Sequence, residues 1–253
     1  MKVTIFTKKS PRHKYLINSI SGIVDNVYVV EENISFKDRI TGIKQPSKIK
    51  KKYFNRVTIA EKKIFKKKFK NRDNIKIIKL RKDLLSRISL KSLNSFLKSD
   101  LYIVFGSSYI KGNLINFLIK KKTINIHMGI SPYYRGTDCN FWALYDNNLH
   151  LVGGTVHLIS KGLDSGPIIF HTLAKKNKNP YLYTMSAVKL TIDTLVKKIR
   201  DKKLNLYKTI KQKKKLQIRY TRKSEFTDKV IKKFMKNKVK INKINNKLFK
   251  SFS

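Results

Sequence analysis

The chain contains almost none of the residues that build disulfide scaffolds or thiolate metal centres. Its 253 residues include one cysteine, Cys139, so no internal disulfide can form. No His/Cys spacing suggests a metal site. No stretch approaches the ~20 consecutive apolar residues that span a bilayer, and the first residues lack the apolar stretch and cleavage site of a signal peptide. We therefore expect a cytoplasmic protein with no metal and no membrane partner.

Acidic residues are scarce, with 15 Asp and Glu against 59 Lys and Arg, which gives a formal net charge of +44. Such a charge is typical of proteins that bind nucleic acid or anionic surfaces. However, only ten of the basic residues are arginine, the residue that specific nucleic-acid readers favour. Lysine is spread along the chain with Ile and Asn, as an AT-rich coding sequence would produce. Compositional bias and attraction to polyanions both stay open, and either attracts anionic small substrates at low salt.

Short apolar runs alternate with segments of helical periodicity, which indicates an α/β protein. Strands are predicted at residues 2–7, 26–30, 76–80, 101–105, 123–127, 151–159 and 167–171. Helices are predicted at 11–20, 60–69, 86–98, 111–121, 139–145 and 183–203, with Ser10 as the N-cap of the first. We expect a mostly parallel central sheet with helices on both faces, whose ligands bind beyond the carboxyl ends of the strands. Residues 1–227 are expected to form the catalytic domain, and residues 228–253 a basic tail that is helical in part.

Polar residues that can take part in a reaction cluster at the end of the fifth strand. Asn125 and His127 lie two residues apart, so their side chains share one face of the strand. A later loop between two strands carries a single acid, Asp164. An amide, an imidazole and a carboxylate can serve acyl transfer by stabilising an oxyanion and moving a proton. From residue types alone, the pattern favours a structural reading, in which Asn125 and Asp164 cap loops and His127 is a core residue.

Three linked motifs carry a resemblance to a known family. They are Asn125-Ile-His127, the loop from Pro132 to Gly136 (Pro-Tyr-Tyr-Arg-Gly), and Gly162-Leu-Asp164-Ser-Gly166. Their order and spacing resemble the folate-dependent formyltransferases, over roughly residues 101–171. That family includes glycinamide ribonucleotide transformylase, methionyl-tRNA formyltransferase and the sugar N-formyltransferases. The resemblance implies a Rossmann-like formyltransferase fold.

The resemblance also implies a set of site residues. Asn125, His127 and Asp164 would be catalytic, and 10-formyltetrahydrofolate would be the formyl donor. His157 matches a histidine of several family members, and a role in the site and a buried structural role both stay open for it. The folate pocket would involve three segments, with the following residues: Ser108, Tyr109, Ile110 and Lys111; Gly129, Ile130, Ser131 and Pro132; Ile159, Ser160 and Leu163.

Two departures from the family leave the amine acceptor open. The turn after the first strand, residues 7–13, lacks the glycines that cradle the phosphate in glycinamide ribonucleotide transformylase. The C-terminal residues do not resemble the β-barrel with which methionyl-tRNA formyltransferase grips tRNA. The expected acceptor is therefore an anionic small-molecule amine, either an amino-sugar nucleotide or glycinamide ribonucleotide. A formyl-folate hydrolase and a non-catalytic RNA- or polyanion-binding module on the same fold are the alternatives.

Overall fold

A seven-stranded sheet forms the centre of the computed structural model, which describes residues 1–33, 46–66, 69–81, 84–175, 177–204 and 208–237. Five strands run parallel in the order β3-β2-β1-β4-β5, and β7 and β8 follow, each antiparallel to its neighbour. These strands are β1 Lys2–Lys8, β2 Asn26–Asn33, β3 Ile75–Arg81, β4 Leu101–Phe105, β5 Ile124–His127, β7 Gly153–Leu158 and β8 Ile168–Leu173. A separate pair joins β6 Tyr134–Gly136 to β9 Arg219–Thr221.

Helices cover both faces of the sheet, as predicted. The helices are α1 Pro11–Ser21, α2 Lys48–Ile64, α3 Gly112–Lys120, α4 Cys139–Tyr145, α5 Pro180–Arg200 and α6 Asp228–Lys236. Strand β4 shows why two layers are needed, since Ile103 and Phe105 belong to one apolar cluster and Tyr102 and Val104 to the other. A continuous apolar run of this kind is typical of a parallel strand buried on both faces. The predicted fold class is confirmed.

Helix α2 differs from its prediction at residues 60–69. It begins after Ser47, whose hydroxyl accepts a hydrogen bond from the Lys50 amide, and it ends at Ile64. Its buried side chains include Tyr53 and Ala60. The first turns before Tyr53 carry the exposed lysines Lys48, Lys51 and Lys52, so their apolar periodicity is weak in the sequence. Residues 67 and 68 of the predicted helix lie outside the described residues.

The prediction of a helix at residues 86–98 is wrong. Short 3-10 turns at Leu84–Ser86 and Lys91–Leu97 take its place. The Ser89 hydroxyl accepts from the Ser92 amide, which offers the backbone a local alternative to helical hydrogen bonds. Helix α5 begins three residues earlier than predicted, because the Asn179 side chain accepts from two amides of its first turn.

Two features that involve the C-terminal part of the chain are missed or only partly predicted from the sequence. Strand β6 lies in a segment that the sequence predicts to be a loop, and it pairs in parallel with β9. Helix α6 buries Ile231 and Phe234 against the same core as α2 and α5. The division at residue 227 stays a prediction, and residues 238–253 of the predicted tail lie outside the described residues. None of the helices in the described ranges combines the length and apolar character that crossing a membrane requires.

Candidate active site

The strand register brings the three polar residues of the predicted site together. Asn125 and His127 lie on β5, and β7 runs antiparallel beside it with His157 opposite Asn125. The loop from β7 to β8 returns towards β5 and carries Asp164, whose φ of 47° is in the left-handed region. Aspartate tolerates this region better than most residues. The loop is held from outside by Gln212, whose amide donates to the carbonyls of Asp164 (2.9 Å) and Gly166 (2.7 Å).

The His127 ring contacts a hydrogen-bond acceptor at each of its nitrogens. Its Nδ1 lies 3.3 Å from Oδ2 of Asp164, and its Nε2 lies 3.0 Å from the carbonyl oxygen of Tyr134. A neutral imidazole carries only one N–H, whereas an imidazolium carries two. Since a carboxylate and a carbonyl can only accept, the doubly protonated ring is the form that satisfies both contacts.

The electrostatic environment favours the same charged form. Burial lowers the pKa of His127, but the Asp164 carboxylate, together with a contribution from Cys139, outweighs burial and holds that pKa well above the usual 6.5. Burial likewise raises the pKa of Asp164, but His127, with a smaller contribution from His157, outweighs burial and holds that pKa far below the usual value. The two side chains therefore form a buried ion pair at neutral pH.

Cys139 lies close to this ion pair but is a poor candidate for a nucleophile. Its side chain is buried at the start of α4, with Sγ 3.6 Å from the carbonyl oxygen of Gly136. Burial raises the pKa of the thiol, and His127 only partly opposes that rise. Cys139 is therefore better suited to packing in the core than to nucleophilic attack.

The Asn125 amide is fixed by two acceptors. Its Nδ2 lies 3.0 Å from Nε2 of His157 and donates to Oδ1 of Asp164 at 3.2 Å. The Nδ1 of His157 lies 2.7 Å from the carbonyl oxygen of Leu158, so Nδ1 carries the proton and Nε2 is left as the acceptor. His157 therefore belongs to the cluster, and its tautomer sets the orientation of the amide.

A backbone amide completes the surroundings of Asp164. The Gly136 N–H of β6 donates to Oδ2 at 3.3 Å. Gly136 has a φ of 94°, and a Cβ atom there would lie 2.1 Å from the carbonyl oxygen of Thr221 in β9. Only glycine fits this position. The contact was not predicted, because the pairing of β6 with β9 has no local signal.

Three of the predicted folate-binding residues line the exposed rim next to this cluster. Tyr109 is 50% exposed, and its hydroxyl donates to the carbonyl of Lys161 in the Asp164 loop at 2.8 Å. The Lys111 ammonium lies 5.5 Å from the centre of the Tyr109 ring. Leu163 is exposed, and its carbonyl accepts from Arg135. The structure thus brings the first and third predicted segments into contact.

The other predicted folate-binding residues lie deeper or serve the backbone. Ile110, Gly129, Ile130, Ser131 and Pro132 are buried, so a ligand could reach them mainly through backbone atoms. Two others contribute local hydrogen bonds: the Ser108 amide donates to the buried Glu32 carboxylate, and the Ser160 hydroxyl lies 2.8 Å from that of Ser165. Ile159 and Ser160 also line a cavity of about 470 Å³, which none of Asn125, His127 and Asp164 lines.

An amide, an imidazolium and a carboxylate in this arrangement are groups that acyl-transfer chemistry uses. The formyl transferase family model matches residues 48–209. No curated protein sequence matches significantly.

Among solved structures, a 4-N formyltransferase from Francisella tularensis is similar at a TM-score of 0.51 and 21% identity, over 88% of this chain and 77% of that one. Phosphoribosylglycinamide formyltransferase from Anaplasma phagocytophilum gives 0.51 and 16%, over 79% and 84%. An N-formyltransferase from Helicobacter canadensis, in complex with folinic acid and dTDP-3-aminofucose, gives 0.53 and 16%, over 89% and 72%. These likenesses show a shared fold, and the family model matches well over half of the chain. The chain therefore belongs to the formyl transferase family.

Proposed function

We propose that this protein transfers a formyl group from 10-formyltetrahydrofolate to the amine of an anionic small molecule. One observation carries the proposal: each ring nitrogen of His127 contacts an acceptor, the Asp164 carboxylate or the Tyr134 carbonyl. These two contacts hold a protonated imidazole beside the Asn125 amide. Solved relatives supply context, since the Helicobacter canadensis structure contains both folinic acid and an amino-sugar nucleotide. The acceptor would be an amino-sugar nucleotide or glycinamide ribonucleotide.

The rim of the site fits a folate. A folate has a planar ring system and an acidic tail, and the exposed Tyr109 ring with the Lys111 ammonium above it offers an aromatic surface and a positive charge. Leu163 adds apolar surface on the neighbouring loop. When bound, 10-formyltetrahydrofolate supplies a formyl carbon that an amine can attack. The amine loses one proton, and the folate nitrogen that gives up the formyl group gains one.

The three polar residues have distinct proposed roles. Asn125 donates to the negative charge that develops on the formyl oxygen, and protonated His127 stabilises the same charge. Asp164 keeps His127 charged and moves protons between the amine and the departing nitrogen through water. In the present geometry both Asn125 amide hydrogens are engaged, so one must leave its acceptor. The contact with Asp164, at 3.2 Å, is the longer of the two.

Turnover with a panel of amines tests the proposal. Purified protein would be incubated with the formyl donor and candidate acceptors, and release of tetrahydrofolate would be followed by absorbance. We expect release that depends on an acceptor. Release without any acceptor would identify a hydrolase instead, and folate binding without release for any amine would refute the proposal.

Two histidine variants test the role of His127. His127→Ala should lower kcat by about 10²–10⁴-fold while folate affinity changes little. His150→Ala is the matched control, because His150 lies in a separate 3-10 turn, Leu149–Leu151, outside the polar cluster. Full activity in the first variant would contradict the assigned role.

A further inference from the structure

The start of helix α1 presents three donors to one carboxylate of the chain itself. Oε1 of Glu61 accepts from the Ser10 hydroxyl at 2.8 Å and from the Arg12 amide at 3.2 Å, and it forms an ion pair with Nε of Arg12 at 3.3 Å. Glu61 comes from the last turn of α2 and is only 4% exposed. Pro11 has no N–H, so the Arg12 amide is the first that the helix can offer. A buried carboxylate therefore neutralises the positive end of α1.

This arrangement explains why Ser10, although it precedes the helix as predicted, does not cap it with its side chain. The hydroxyl makes no capping hydrogen bond and is directed to Glu61 instead. No acidic residue lies in the first turn of α1. The anion that a helix start normally attracts is thus supplied from α2.

The Glu61 cluster, which we define as Ser10, Arg12 and Glu61, lies at the same edge of the sheet as the proposed active site. Strands β1, β4 and β5 are parallel, so the residues that follow them meet at one edge. Arg12 also acts electrostatically on Asp138: desolvation raises the pKa of Asp138, and the charges of Lys223 and Arg12 both act against that rise. Asp138 directly precedes Cys139, which neighbours His127.

Without Glu61, a serine hydroxyl, a free helix amide and an arginine would form a strong phosphate site. With Glu61 in place, a terminal phosphate would have to displace a buried carboxylate or lie beside its negative charge. We propose that Glu61 is a specificity-determining residue that excludes phosphate monoesters from the start of α1. The inference rests on the proposed function, and it selects the amino-sugar nucleotide over glycinamide ribonucleotide as the acceptor class.

Ligand binding to three variants tests the exclusion. Glu61→Ala removes the carboxylate, Glu61→Gln removes its charge and keeps its volume, and Asp73→Asn is a control for net charge. Asp73 is exposed and precedes β3, at the opposite edge of the sheet. Calorimetry at fixed salt would measure the affinity of each protein for ribose 5-phosphate, a simple phosphate monoester.

We expect Glu61→Ala to bind ribose 5-phosphate about tenfold or more tightly than the wild type, and Asp73→Asn to match the wild type. Glu61→Gln should also bind ribose 5-phosphate more tightly than the wild type. If Glu61→Ala does not fold, the affinity of Glu61→Gln alone tests the proposal. Equal affinity in all the folded proteins, or tight binding by the wild type that the variants lose, would overturn the proposal. Because this readout is binding, it stays informative even if no acceptor is ever formylated.

Where turnover is found, the same variants give a second measurement. The ratio of kcat/KM for glycinamide ribonucleotide to that for an amino-sugar nucleotide should rise in Glu61→Gln and stay constant in Asp73→Asn. A wild-type enzyme that prefers glycinamide ribonucleotide would also contradict the proposal.

Discussion

Replacing Asp164 by Asn removes the charge that holds the proton on His127. The two charged atoms lie 3.3 Å apart, and at an effective dielectric constant of about 20 their attraction is about 5 kcal/mol. Losing an attraction of this size lowers the pKa of His127 strongly, because the charged ring is no longer stabilised. Burial, which already lowers the pKa of His127, then has no opposing carboxylate. We expect His127 in the variant to be neutral at pH 7.

Histidine ring NMR measures this directly. In the wild type the His127 carbon shifts should stay those of an imidazolium through pH 7, and in Asp164→Asn they should be those of a neutral ring. Turnover should fall by about 10²–10⁴-fold, with folate binding largely retained. If His127 stays protonated at pH 7 in the variant, the Asp164 carboxylate is not what holds the proton, and the reasoning is refuted.

The same ion pair predicts a pH dependence of stability. The folded-state pKa of His127 is raised, so its contribution is complete below about pH 6.5 and is lost as pH rises through the folded pKa. The folded-state pKa of Asp164 is lowered, so its contribution is complete above the usual 3.8 and is lost as pH falls through the folded pKa. The difference in unfolding free energy between wild type and Asp164→Asn should therefore be largest between about pH 4 and pH 6.5. A difference that does not vary with pH would contradict the ion pair.

Three further predictions concern the residues around the ion pair. His157→Leu leaves one Asn125 amide hydrogen without its acceptor, so it should lower the unfolding free energy by about 1–3 kcal/mol and also lower kcat. Urea melts and turnover test this prediction, and an unchanged kcat would mean that His157 does not need to orient the amide. Gly136→Ala forces a Cβ against a β9 carbonyl at positive φ and should cost about 2–3 kcal/mol in urea melts, with reduced activity. Arg219→Lys loses the two-pronged ion pair with Asp146 and should cost about 1–2 kcal/mol in the same assay; a stability equal to wild type would show that the lysine replaces it.

The sheet could be predicted because each central strand is encoded by its own short apolar run. The run Leu101–Phe105 has to be buried on both sides, and its neighbours in the sequence have helical periodicity. The pair Asn125 and His127 could also be located, because polar residues at the end of such a strand are conspicuous. The two-residue repeat of a strand predicts that their side chains share one face.

Other features depend on contacts between distant segments and have no local pattern. Helix α2 starts among lysines, where apolar spacing is weak, and its length is decided by packing on α5 and α6. Glu61 meets Arg12 across 49 residues, and Gln212 meets Asp164 across 48. The tautomer of His157 depends on a carbonyl that only the folded strand presents. Such features follow from tertiary structure rather than from propensity.

The pairing of β6 with β9 has a consequence for the order in which parts of the candidate site form during synthesis. Gly136, whose amide contacts Asp164, is held by Thr221, which leaves the ribosome more than eighty residues later. The seven-stranded sheet can form before that point, since its last strand ends at Leu173. A nascent chain would therefore have its sheet and its Asn-x-His motif while the Asp164 carboxylate still lacked its backbone donor, and the full site geometry would arise only after β9 has been synthesised.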